Sequence, residues 1–183
     1  GAVQLVNAGV VAAQLAFESG PPVGGALVQV TRNDGDILSG GSGSVVWTTT
    51  TDSGGGVQLK GMASGRHMLT LPGAIDVVPA PNMVDADTRS TTSTLRILGQ
   101  RVRLVTLHEA GTVKFCWYRR QADGKEYAIG DHNLDQQVCR DRFIPRGSTW
   151  RIVATSGDRV RSVEHEANSG LDEVRLTFDF ELR

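Results

Sequence analysis

Gly20-Pro21-Pro22-Val23-Gly24-Gly25-Ala26-Leu27-Val28-Gln29-Val30 is the stretch whose reading decides the fold, together with two that follow it: Thr48-Thr49-Thr50-Thr51-Asp52-Ser53-Gly54-Gly55-Gly56-Val57-Gln58-Leu59 and Gly61-Met62-Ala63-Ser64-Gly65-Arg66-His67-Met68-Leu69-Thr70-Leu71. Each joins a turn rich in glycine or proline to a run whose larger residues recur at every second position: Ala26, Val28 and Val30, then Val57 and Leu59, then His67, Leu69 and Leu71. A period of two bounded by turn residues describes strands with one buried face. Short strands at this spacing build an antiparallel sandwich.

Upstream, the apolar run from Val10 to Phe17 predicts a first strand, although Ala12, Ala13 and Ala16 leave a helical reading open until Gly20-Pro21-Pro22 stops either one. Asn33-Asp34-Gly35-Asp36 reads as a hairpin turn with a return through Ile37 and Leu38, Ser39 to Ser44 as a Gly/Ser loop, and Val45 to Thr50 as a strand. Pro79, Pro81 and the polar run from Asp85 to Thr94 have the composition of a linker, while Thr92 to Leu98 alternates as a last strand would. A boundary near Gly99 divides the chain into domains of residues 1–98 and 99–183.

The second half predicts six strands: Val102–Leu107, Thr112–Arg120, Lys125–Ile129, Thr149–Thr155, Arg159–Glu166 and Val174–Leu182. Ala122-Asp123-Gly124 and Ser156-Gly157-Asp158 are tight turns, and a loop from Gly130 to Arg142 carries Cys139. The expectation is an all-β chain of two small antiparallel β-sandwiches in tandem, without sustained helix and without a short internal repeat.

The residues Pro22 to Val30, Thr50-Thr51-Asp52-Ser53-Gly54, Leu59-Lys60-Gly61 and Ser64-Gly65-Arg66-His67-Met68-Leu69 resemble the Cna-B or carboxypeptidase-regulatory-like family, whose sandwich is prealbumin-like (Ig-like). The resemblance covers roughly residues 10–71. It implies stalk, spacer or adhesive duty and not one reaction. His67 stands where an aromatic is usual in that family. The strand from Val10 to Glu18 has no lysine and Lys60 lies beside a turn, so the isopeptide bond found in many such surface modules is not expected.

Composition excludes several classes. The 183 residues carry a net charge of −1, too little for a field that collects nucleic acid or an anionic membrane. No run approaches the roughly 18 apolar residues needed to span a bilayer. Arginine outnumbers lysine sixteen to three, a bias to which composition alone assigns no mechanism.

Cys116 and Cys139 are the two cysteines. A bridge between them would close a loop of about twenty residues and contribute roughly 3 kcal/mol by chain entropy. We therefore expect a disulfide, and with it an oxidising, extracytoplasmic compartment. Two sulfurs without a Cys-x-x-Cys are not a structural zinc site, and His67, His108, His132 and His165 have no metal-binding spacing. The oxygen-rich turns Asn33–Asp36 and Asp131–Asp135 match no twelve-residue calcium loop.

Prealbumin-like sandwiches include enzymes, and their motifs are missing. Tyr118 and Tyr127 have no accompanying histidine pair of the intradiol dioxygenase kind. The chain ends Phe180-Glu181-Leu182-Arg183 where hydroxyisourate hydrolases end Tyr-Arg-Gly-Ser. No nucleophile elbow or phosphate loop occurs either.

What remains are candidate contact residues: Trp117, Tyr118, Tyr127 and Trp150 as stacking rings, with Arg119 and Arg120 as cations for an acidic partner. The functional expectation is a non-catalytic structural or adhesive module, without metal or cofactor, in an extracellular, cell-surface, periplasmic or virion assembly. Its partners would be other protein subunits of that assembly. The alternative is a carbohydrate-binding module that uses exposed aromatics.

Overall fold

A computed structural model describes residues 9–32, 46–78, 83–86, 92–109, 111–129, 139–168 and 170–181. The expected return at Ile37 and Leu38, the turn at Asn33–Asp36, the Gly/Ser loop and the loop around His132 lie outside these residues.

The described residues are almost all β and fall into two compact units. The first comprises residues 1–72 and 78–97, the second residues 73–77 and 98–183. The first holds β1 (Gly9–Phe17), β2 (Leu27–Arg32), β3 (Val46–Thr50), β4 (Gly56–Met62), β5 (Gly65–Thr70), β6 (Met83–Ala86) and β7 (Thr92–Ile97). The second holds β8 (Gly99–Leu107), β9 (Val113–Arg120), β10 (Glu126–Ile129), β11 (Asp141–Pro145), β12 (Thr149–Ser156), β13 (Arg159–Glu166) and β14 (Glu173–Asp179).

The units repeat one topology. Their sheets run β4-β1-β7 and β3-β2-β5-β6 in the first, β11-β8-β14 and β10-β9-β12-β13 in the second. Adding seven to each strand number converts one set into the other, and the sense of every pairing is preserved. All pairs are antiparallel except β1 with β7 and β8 with β14, which are parallel. The parallel pairs join the first and last strands of a unit, where the whole intervening chain serves as the crossover that parallel pairing requires.

Hydrophobic burial explains the strands. Val11, Ala13, Leu15 and Phe17 alternate into the first core with Val28, Val30, Val57, His67, Leu69, Val84 and Ile97. This settles β1 as a strand, because a helix would scatter these side chains around its axis. The supposed linker supplies β6, with Val84 and Ala86 buried.

The signature residues of the opening stretch hold turns. Thr51 donates its hydroxyl to the Val23 carbonyl at 2.6 Å and accepts the Ala26 N–H at 2.9 Å, while Asp52 Oδ1 accepts the N–H groups of Gly54 and Gly56, each at 2.8 Å. Gly55 has φ of 79°, and a Cβ there would lie 2.3 Å from the Leu15 carbonyl oxygen. Only glycine satisfies both conditions.

In the second unit, Val102, Leu104, Val113, Trp117, Ile144, Trp150, Ile152, Ala154, Phe178 and Phe180 form the core. Its seventh strand, β11, begins within the loop expected at residues 130–142. The chain at residues 73–77 lies against β11: Ala74 bridges Phe143 in parallel, Ile75 N–H donates to the Phe143 carbonyl at 2.9 Å, and Phe143 N–H donates to that of Gly73 at 2.9 Å. These bonds occupy a strand edge that would otherwise present unpaired backbone groups.

Candidate interaction surface

The sheet β10-β9-β12-β13 turns one face to its core and the other to solvent. Because side chains alternate, Trp117 and Trp150 go inward, while Tyr118, Arg120, Arg151, Glu126 and Glu164 go outward. The register sets Arg120 opposite Glu126, and Arg151 opposite both Tyr118 and Glu164.

These outward groups form one chain of ion pairs. Arg151 Nε and Nη2 reach Glu126 Oε2 at 2.8 and 2.7 Å. Arg120 Nη2 reaches Glu126 Oε1 at 3.3 Å and Glu164 Oε1 at 2.7 Å. The hydrogen bond from Arg151 holds the Glu126 carboxyl below the usual carboxylate range, with Arg120 adding to it. Arg120 is raised chiefly by its bond to Glu164, and Arg151 by its bond to Glu126. The Arg151 guanidinium also lies 4.3 Å from the centre of the Tyr118 ring. Side chains held this way have surrendered rotamer freedom before any partner arrives, so docking on them costs less entropy.

The arginine bias finds a use that composition could not show. Five rings of the second unit carry a guanidinium: Phe143 under Arg101, Trp150 under Arg119, Phe115 under Arg140, Trp117 under Arg142 and Tyr118 under Arg151. A planar guanidinium stacks and still donates sideways, which an ammonium does not do.

The six contact candidates therefore separate. Trp117 and Trp150 are 1% and 0% exposed and meet edge to face, with centroids 6.0 Å apart. They are core residues and offer no stacking platform. Their indole N–H groups donate to the Cys139 carbonyl at 3.0 Å and to Ser148 Oγ at 2.6 Å, which lets both rings be buried without an orphaned donor. Tyr118 and Arg120 belong to the outward network. Arg119, on the opposite face of β9, is 3.5 Å from Asp76. Tyr127, on edge strand β10, is 45% exposed.

Both thiols are unbridged, which corrects the expected disulfide. Cys116 is exposed on the outward face of β9. The Cys139 backbone is hydrogen-bonded to inward-facing Trp117, and its side chain to Arg142. The body of β9 stands between the two sulfurs. Loop length alone cannot register this, because a bridge also needs side chains on the same face.

At the end of the sheet, Arg119, Arg120, Gln121, Ala122, Arg146, Gly147, Ser148 and Thr149 line an open cleft of about 610 Å³. Its arginines are already engaged: Arg119 with Asp76, Arg120 with Glu126 and Glu164, and Arg146 with Asp172 and the carbonyls of Asn168 and Leu171. An anion entering here must displace a carboxylate.

Sequence reading missed Glu126, Glu164 and Arg151. The signal was present as opposite charges on every second residue of adjacent strands, but it is visible only once register is known. The histidines serve separate roles. His67 is fully buried, His108 lies between Asp179 and Glu181 at 2.9 and 3.2 Å, and His165 Nε2 is 2.7 Å from Gln100 Oε1. Among the described residues no three His, Cys, Asp or Glu side chains cluster for a metal, and no helix is long and apolar enough to cross a membrane.

No family profile matches the chain, and no curated protein matches it. Among solved structures, it is similar to a Streptococcal ancillary pilin at 10% identity and a TM-score of 0.42, over 96% of this chain and 63% of that one. It is similar to the Bacillus anthracis TIE protein at 11% identity and 0.36, over 95% and 34%. GBS52, the minor pilin of Streptococcus agalactiae, aligns at 14% identity and 0.35, over 92% and 94%. The chain thus spans about a third of the TIE protein chain and under two thirds of the ancillary pilin chain.

Proposed function

We propose that this chain is a non-catalytic structural or adhesive module of a larger extracellular or cell-surface assembly, and that its partners are other protein subunits or domains of that assembly. The observation that carries the reading is the repetition of one seven-strand topology in two consecutive units. Repeating a sandwich adds length and surface, which is what a spacer or presenting module requires, and contributes nothing specific to a reaction. The ordered network of Tyr118, Arg120, Glu126, Arg151 and Glu164 is the face we assign to protein contact. Its balanced charges favour a partner that carries both signs over a polyanion.

The test uses the natural full-length protein in the cells that make it. Antibodies against this chain should label intact cells, and cross-linking of those cells should link lysine-poor β9, β12 and β13 to another protein through carboxylate-directed reagents at Glu164. Labelling that appears only after permeabilisation would overturn the surface reading. The carbohydrate alternative retains exposed Tyr127, and specific glycan binding lost in Tyr127→Ala would replace the protein-contact reading.

A further inference from the structure

Within the second unit, Cys139 and Arg142 share one indole. The Cys139 carbonyl accepts the Trp117 Nε1–H at 3.0 Å, and the Arg142 guanidinium lies 5.5 Å from the centre of the Trp117 ring. Arg142 is 3% exposed, and its Nε is buried without a hydrogen-bond partner. Other arginines here have carboxylates, as Arg101 has Asp141 at 2.5 Å and Glu173 at 3.6 Å. Among the described residues Arg142 has none within ion-pair distance. Its side chain is hydrogen-bonded to that of Cys139, and burial pushes its guanidinium below the ordinary arginine range. A buried cation lacking a carboxylate is costly, and negative charge on a neighbouring sulfur would offset that cost.

We propose that Cys139 is a thiol–disulfide exchange site for low-molecular-weight disulfides, with Arg142 stabilising negative charge on its sulfur. The nucleophile in such exchange is the thiolate, and an adjacent guanidinium favours it. Cys139 sulfur attacks one sulfur of R–S–S–R. One S–S bond breaks as one forms, the protein sulfur is oxidised to the mixed disulfide, and the departing R–S is reduced and takes up the proton that Cys139 gave up. Cys139 is half-buried, so one of its sides is open to a small reagent.

Cys116 is the control within the same molecule. It is the more exposed thiol, and no guanidinium contacts it among the described residues. If exposure governs reactivity, Cys116 reacts first; if Arg142 does, Cys139 does.

The experiment treats the whole reduced chain with glutathione disulfide at pH 6.5 and follows each cysteine by peptide mass spectrometry. The Cys139 adduct should form at least about tenfold faster than the Cys116 adduct and be removed by dithiothreitol. Arg142→Gln should slow Cys139 by about tenfold with Cys116 unchanged, while Arg142→Lys keeps it within a few-fold. Equal rates, or a faster Cys116, overturn the proposal. A folded Arg142→Gln chain with an unchanged Cys139 rate overturns the role of Arg142. If Arg142→Gln loses its native circular dichroism, the ratio of the two cysteines in the parent chain decides alone.

Discussion

Replacing Trp150 by alanine separates a core residue from a binding platform. Trp150 has no exposed surface, packs edge to face on Trp117 at 6.0 Å, carries Arg119 over its ring at 6.0 Å, and donates its indole N–H to Ser148 Oγ at 2.6 Å. Truncating so large a buried side chain costs about 3–5 kcal/mol, a figure that already includes roughly 0.5–1.5 kcal/mol for the aromatic pair. Trp150→Phe keeps a ring in the core and loses the N–H bond, so it should cost less, with about 1 kcal/mol of its loss coming from that bond. The assay is urea unfolding followed by Trp117 fluorescence in a Trp47→Phe background, which removes the tryptophan of the first unit. With a slope of about 1–3 kcal/mol/M, the midpoint for Trp150→Ala should fall by at least about 1 M. A variant within about 0.5 kcal/mol of its parent, the usual result for an exposed position, would refute the core assignment.

Thiol titration of denatured, unreduced protein should find two free thiols, and reductant should leave its melting temperature unchanged; a titre of zero would restore the disulfide. In an NMR titration His108 should have its midpoint above 6.5, because its hydrogen bond with Asp179, reinforced by Glu181, favours the charged ring, and His165 below 6.5, because burial disfavours it. The linkage has opposite signs. The His108 contribution is fully present below pH 6.5 and is lost as pH rises through its folded value, whereas stability falls through His165 as pH drops below 6.5. His108→Gln should remove the first dependence and leave the second. Residues 99–183, which we propose fold as a domain, should melt lower alone than the second unit does within the whole chain, because the fragment lacks residues 73–77 and their bonds to Phe143. Equal melting temperatures would show that this segment contributes nothing.

What the chain's sequence determined by itself was the class of structure and most of its strands. Alternation at Val28 and Val30, at His67, Leu69 and Leu71, and at Val113, Phe115 and Trp117 is local, and a strand's two faces follow from it without knowledge of any neighbour. The turns at Thr51–Gly56 were legible for the same reason, since an aspartate that caps N–H groups two and four residues onward needs only its own segment. Tertiary structure alone decided the rest. The parallel pairing of β1 with β7 and of β8 with β14, and the membership of residues 73–77 in the second unit, join segments far apart in sequence, where no periodicity reaches. Whether an aromatic on a strand is core or platform depends on which face the opposite sheet covers, so Trp117 and Trp150 went inward while Tyr118 stayed out under Arg151. The fate of the cysteines turned on the same physics: spacing permits a bridge between Cys116 and Cys139, but pleating set their sulfurs on opposite sides of β9 and left Arg142 to be the neighbour of one of them.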